Sequence, residues 1–136
     1  MAGTFYDPLE VEYIDGRRWK VTAEFDYHLG DVNGLETVHV PSGFVTDFAS
    51  IPRLFWNLFP PTGSYGKAAV IHDWLYQKRI VRNGCYRFVE RAEADAIFRE
   101  AMRVLGVSWF TRQSLYLGVR AGGWLTWRSY RERNHI

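Results

Sequence analysis

Hydrophobic and polar positions alternate with a period of two in the strand-like runs of the first 48 residues and then change to a helical rhythm. Leu9, Val11 and Tyr13 alternate with Glu10 and Glu12, Asp15-Gly16 supplies a tight turn, and Trp19, Val21, Ala23, Phe25 and Tyr27 alternate on the return. Alternation on both sides of an Asp-Gly pair is a strong local hairpin signal. The polar, Gly-rich run 30–34 predicts a turn before a third strand over 35–40, and Pro41-Ser42-Gly43 separates that strand from a short run over 44–48. The front of the chain therefore reads as a small antiparallel sheet.

From Ser50 the spacing is helical. Ser50 can cap a short helix with Pro52 in its first turn, where the missing N–H costs nothing, and Pro60-Pro61 stops it. A second helix is expected over about 67–78, with Asn83-Gly84 ending that region. A third is expected over about 90–105, with Glu90 and Glu93 at its positive end, Arg99 and Arg103 toward its negative end, and Gly106 just beyond. A fourth covers about 108–128 and carries Gly118 and Gly122 four residues apart, a spacing that lets another backbone approach closely. The pattern predicts an α+β fold in one domain over 1–136, mainly β over 1–48 and mainly α over 50–130. At 136 residues, 47% apolar and 17% aromatic, the chain has ample material for a single core.

The third helix contains an internal conflict. Its apolar stripe is Ala94, Ile97, Phe98, Ala101, Met102 and Leu105, and Asp95 lies on or beside that stripe, three residues before Phe98. A buried carboxylate is costly unless a partner satisfies it. His72, on the second helix among Ala68, Ile71, Leu75 and Tyr76, is the expected partner, since an antiparallel helix pair brings the two together. An aspartate on one imidazole nitrogen fixes the tautomer and raises the basicity of the ring. Asp73, about 100° further round the same helix, is expected to face the sheet, where Asp47 ends the last strand. Two carboxylates and an imidazole near one loop suit a hard cation or acid/base work. The same four groups equally suit a buried polar cluster that holds the helices to the sheet.

Charge and composition narrow the partners. The formal net charge is +2, most of the 17 basic residues are Arg, and Arg103, Arg112, Arg120, Arg128, Arg131 and Arg133 gather toward the C-terminal end. With Trp124 and Trp127 they form an aromatic and basic surface. Trp, Tyr and Arg dominate protein hot spots, so Trp124, Trp127, Arg120 and Arg128 are expected at a protein interface and nucleic-acid binding is not. The N-terminus lacks a basic segment followed by an apolar run, and no apolar run is long enough to cross a bilayer, so neither a secretion signal nor a membrane span is expected. The lone cysteine, Cys85, makes no internal disulfide and is expected as a small packing residue. No phosphate-cradling Gly loop and no zinc-type Cys/His spacing occurs.

Three ordered motifs carry a resemblance. Thr46-Asp47-Phe48-Ala49-Ser50-Ile51-Pro52, His72-Asp73-Trp74-Leu75-Tyr76 and Ala94-Asp95-Ala96-Ile97-Phe98 resemble a phage and prophage family of unknown function, over roughly residues 41–120. That resemblance implies a viral or prophage origin. Together with the aromatic and Arg-rich C-terminal helix, it leads to the expectation of a virion component, in or near the tail, that is made in a host cytoplasm and docks to other phage structural proteins. His-Asp-x-x-Tyr on one helix with an Asp on the next long helix is also similar to the catalytic helix pair of the secreted calcium-dependent phospholipases. This second likeness implies His72 as general base, Asp95 orienting it, Tyr76 in the same network, and Asp73 as ligand to a divalent cation such as calcium. Those enzymes are stapled by disulfides and carry a Gly-rich calcium loop; here there is one cysteine and the looser run 62–66. A virion-associated protein and a small hydrolase of a phospholipid or other cell-envelope substrate are thus both expected functions.

Overall fold

The computed structural model describes residues 4–5, 11–15, 18–30, 36–46, 66–83 and 85–134. Residues 31–34 of the expected turn over 30–34, the helix beginning at Ser50, and Asp47 lie outside them. The elements run β1 (Thr4–Phe5), β2 (Val11–Asp15), β3 (Arg18–Val21), β4 (Phe25–His28), β5 (Thr37–Val40), β6 (Val45–Thr46), α1 (Gly66–Lys78), β7 (Ile80–Asn83), β8 (Cys85–Phe88), α2 (Arg91–Val104) and α3 (Trp109–Asn134). The fold is α+β, as the periodicity predicts. Among the described residues no helix is long and apolar enough to cross a membrane.

The strands form two antiparallel sheets, not one. β2, β3 and β6 make a three-stranded sheet, and β1, β4, β5, β7 and β8, in that order, make a five-stranded one. The hairpin across Asp15 pairs Val11 with Val21 and Tyr13 with Trp19, as the alternation requires. The return strand, expected to run unbroken from Trp19 to Tyr27, breaks after Val21. There the Val21 N–H donates to Phe44 O at 2.8 Å and Gly43 N–H donates to Val21 O at 2.7 Å, so the 41–44 turn takes over the backbone groups that would have continued β3. Phe25 then starts a strand of the other sheet. The alternation continues through the break because both segments face the same core.

That core begins on β4 and β5. Phe25 and Tyr27 are buried and pair directly with Val40 and Val38. Each such side chain, fully buried, contributes roughly 1.5–3 kcal/mol. Ala68, Ile71 and Leu75 of α1 and Ile97, Phe98, Ala101 and Met102 of α2 close over them. The sequence reading missed β7 and β8: Asn83, expected to end a helical region, is the last residue of β7, which pairs with β8 so that Ile80 lies opposite Phe88 and Asn83 opposite Cys85. Val81 is buried while Cys85, Tyr86, Arg87 and Phe88 are all exposed, so this edge hairpin shows no clean apolar face. Cys85 is correspondingly exposed, against its expected packing role.

The turn after α2 is fixed by Gly106, which adopts φ +81°. Its N–H donates to Arg103 O at 3.1 Å and the Val107 N–H donates to Met102 O at 3.0 Å. This is the two-bond Schellman closure of a helix end, and it aims α3 back across α1 and α2. Replacing Gly106 by Ala forces a β-carbon into the left-handed region and is expected to lower the unfolding free energy by about 1 kcal/mol. Urea denaturation with an unchanged slope would record it as a lower midpoint; a midpoint equal to wild type would mean that the turn relaxes at no cost.

Candidate functional site

Nothing in α1 between Gly66 and Lys78 breaks the helix, and it is buried on almost every side, including His72 and Asp73 at 0% exposure. His72 and Tyr76, one turn apart, face α2. Asp73 and Gln77, also one turn apart, face about 100° round the helix from them, toward β6 and the end of α3. The helix therefore serves two separate carboxylate centres.

The first is Asp95, which is fully buried in the α2 stripe where the sequence places it. His72 Nε2 lies 2.6 Å from its Oδ1, and the Tyr76 hydroxyl donates to the same oxygen at 2.7 Å. Arg120 Nη1, from α3, donates to Oδ2 at 2.8 Å, and Arg91, four residues before Asp95, approaches that oxygen at 3.5 Å. Arg91 also donates to the carbonyls of Val119 and Arg120 at 3.0 and 3.3 Å. One carboxylate thus joins three helices. The His72 ring lies against Tyr76 and Phe98, with centroids 4.3 and 4.6 Å away.

The charges of this centre follow from its partners. Burial pushes the Asp95 carboxyl up, but hydrogen bonds from His72, Tyr76 and Arg120 outweigh it and hold the group below its ordinary value. Burial pushes His72 down, and Arg91 adds to that; Asp95 opposes without reversing the direction. Burial and the adjacent carboxylate raise the Tyr76 phenol, which stays protonated and a donor. A neutral ring facing an ionised carboxylate carries its proton on Nε2, which assigns the basic lone pair to Nδ1.

The second centre is Asp73, expected as a metal ligand. Thr46 of β6 donates to its Oδ2 at 2.5 Å, Gln77 to the same oxygen at 3.2 Å, and Tyr130 of α3 to Oδ1 at 3.3 Å. Asp73 does face the small sheet, as its helical position predicts, but both its oxygens accept protein hydrogen bonds. Among the described residues no group of three or more His, Cys, Asp or Glu is placed to hold a metal ion.

The expected interface residues divide. Trp124 and Arg128 face outward, Arg128 pairing with Glu132 at 3.3 Å. Trp127 and Arg120 turn inward instead: Arg120 joins Asp95, and Trp127 packs edge-on to Tyr76 at 5.2 Å with Arg131 over its ring at 4.3 Å. Arg131 caps α1 by donating to the carbonyls of Tyr76 and, at 2.9 Å, Gln77; burial and nearby Arg79 lower its pKa to about 10. Of the α3 glycines, the tight one is Gly123. A β-carbon there would lie 2.5 Å from the Tyr76 hydroxyl oxygen, whereas Gly122 is exposed.

Sequence reasoning missed Arg91, Thr46, Tyr130 and Gly123 and expected Arg120 at an interface, not at Asp95. Only Arg91 carried a local signal, the i,i+4 spacing to Asp95. A family model described as a protein of unknown function (DUF1353) matches residues 19–119, a span that holds His72, Asp73, Tyr76, Asp95 and Arg91. The chain belongs to that family. It is also 30% identical over 130 residues to an uncharacterized protein, y4jT, of Sinorhizobium fredii (strain NBRC 101917 / NGR234); the match covers 93% of this chain and 31% of that relative, so the chain spans about a third of its length. No solved structure matches. The family match stops short of Gly123 and Tyr130, so the second half of α3 completes both centres from beyond it.

Two outcomes are expected here. Gly123→Ala should destabilise the fold by about 1–3 kcal/mol through overpacking against Tyr76, while Gly122→Ala should be neutral or stabilising by up to about 1 kcal/mol from helix propensity; equal effects at the two positions would contradict the close approach. The pH dependence has a definite sign. His72 sits below its ordinary 6.5, so on acidification the unfolded chain binds a proton that the folded chain does not. Its contribution is fully present above pH 6.5 and lost as pH falls below. The stability gap between wild type and His72→Gln, measured by denaturant titration, should therefore be widest above pH 6.5 and shrink toward pH 5; a gap that grows on acidification would reverse the assignment of a neutral ring.

Proposed function

We propose that the chain is a small hydrolase in which His72 is the general base, with Asp95 and Tyr76 holding the ring. The observation that carries this reading is the 2.6 Å contact between His72 Nε2 and an Asp95 carboxylate kept ionised by Tyr76 and Arg120. Such a pair holds the ring in the neutral tautomer with its proton on Nε2, so that Nδ1 is the nitrogen that would take the proton in turnover. A water gives its proton to Nδ1 and its oxygen forms the new bond to an ester carbonyl carbon. The tetrahedral intermediate then expels the alkoxide, which takes the proton back from the imidazolium. The similarity to the His-Asp-x-x-Tyr helix pair of the calcium-dependent phospholipases supports an ester of the cell envelope, a phospholipid foremost, as the substrate. Because His72 has no exposed surface, turnover requires the packing around the ring to open to water and substrate. A cation on Asp73 would have to displace Thr46, Gln77 or Tyr130, so the proposed step rests on His72.

A second reading is a virion-associated protein of a phage or prophage that docks to other phage structural proteins through α3. It is favoured by the outward face of that helix, where Phe110, Leu117, Trp124 and Leu125 are exposed at seven- and eight-residue spacings. A helix apolar on both faces is ordinarily covered on both.

His72→Asn and Asp95→Asn, assayed on phosphatidylglycerol vesicles and on peptidoglycan, should each lower turnover by about 10²–10⁴-fold, the range for a lost general base, with near-wild-type far-UV circular dichroism. Absence of wild-type turnover on both substrates, together with loss of stability in both variants, would assign the cluster to the architecture of the fold.

A further inference from the structure

Between α2 and α3, apart from both carboxylate centres, lies an open cleft of about 440 Å³. Ala96, Arg99, Glu100 and Arg103 line it from one face of α2, at the i, i+3, i+4 and i+7 positions of that helix, and Arg112 and Gln113 line it from α3. Three guanidinium groups and one carboxylate therefore share it. The carboxylate is already engaged elsewhere: Glu100 Oε1 accepts from the Tyr27 hydroxyl and from the Gly30 N–H at 3.1 Å, both of which belong to the β4 side. It makes no ion pair with the three arginines among the described residues, and the lining keeps a net charge of about +2.

The arginines of this cleft differ from others in the chain. Arg79, Arg87, Arg91, Arg120 and Arg128 each pair with a carboxylate. Among the described residues Arg99, Arg103 and Arg112 have no such pair. Two of them are nonetheless held in place by uncharged contacts. Arg99 stacks on Tyr116 across the helix pair at 4.0 Å, and Arg112 donates to Val107 O at 3.4 Å in the turn that Gly106 closes. Stacking uses the face of a guanidinium and leaves the in-plane N–H fork available. A concave site with an excess of two positive charges and pre-positioned forks matches the geometry of a phosphate, which accepts paired N–H donors. Its volume falls in the range of small-molecule sites, roughly 300–1,000 Å³.

We propose that this cleft binds the phosphate group of an anionic ligand, through Arg99, Arg103 and Arg112 with Gln113 as an uncharged donor. The site is independent of His72 and stands whether or not the chain is a hydrolase.

Calorimetric titration of the full chain with pyrophosphate, and co-sedimentation with phosphatidylglycerol vesicles, both at low salt, test it. Wild type is expected to bind pyrophosphate, and Arg103→Gln/Arg112→Gln to bind at least tenfold more weakly with an unchanged fold by circular dichroism. Arg103→Gln alone, at an exposed position, is the variant to use if the double variant misfolds, and His72→Asn should bind as wild type does. Vesicle binding without pyrophosphate binding, lost in the Arg variants, would assign the phosphate to a lipid headgroup. Failure of both probes to bind, or equal binding by wild type and the Arg variants, would overturn the proposal.

Discussion

A single negative charge in the apolar interior sets the terms for the helical half of this protein. Asp95 has no exposed surface, and an ionised carboxylate in that position is tolerated only if each oxygen is met by donors. The four groups that approach it come from α1, α2 and α3, so the three helices can pack only in the arrangement that delivers His72, Tyr76, Arg91 and Arg120 to one place. Removing one partner leaves a charge stranded. That asymmetry specifies the helix geometry more sharply than the surrounding Leu, Ile and Phe contacts, which many packings would satisfy.

Asp73 repeats the logic on the other side of α1. Thr46 reaches it from the three-stranded sheet and Tyr130 from the last turns of α3, so the sheet and the C-terminal end of the chain meet through it. The two adjacent residues His72 and Asp73 point about 100° apart and face different neighbours. A dipeptide that looks like one functional unit in the sequence is in fact divided between a histidine–carboxylate pair and a hydrogen-bonded anchor. Membership of a family of unknown function places His72, Asp73 and Asp95 in the matched span without choosing between catalysis and architecture.

The parts legible from the sequence are those governed by local rules. The β2–β3 pairing follows from alternation around Asp15, the end of α2 from Gly106, and the meeting of His72 and Asp95 from one carboxylate on an apolar stripe, while Tyr76 in the same network is implied only by the resemblance to the phospholipase helix pair. What the sequence hid depends on distant pairings. The break after Val21 is imposed by backbone bonds to Gly43 and Phe44, and β8 escapes notice because its four residues are all exposed. Arg120 lies 25 residues from Asp95 and Tyr130 57 from Asp73, so no spacing rule connects them. Trp127 and Arg120 read as surface residues because their composition suits an interface; the partners that draw them inward are visible only once α3 is laid across α1.

Gly123 gives this arrangement a ratchet tooth. The Tyr76 hydroxyl occupies the space where a side chain would stand, so α3 has one position along its axis at which it can lie down. A slip by one turn, about 5.4 Å, would carry Val119 or Trp127 to that spot and drive a bulky group into the tyrosine that holds Asp95. The longitudinal position of α3 is thereby gauged against a single phenol oxygen.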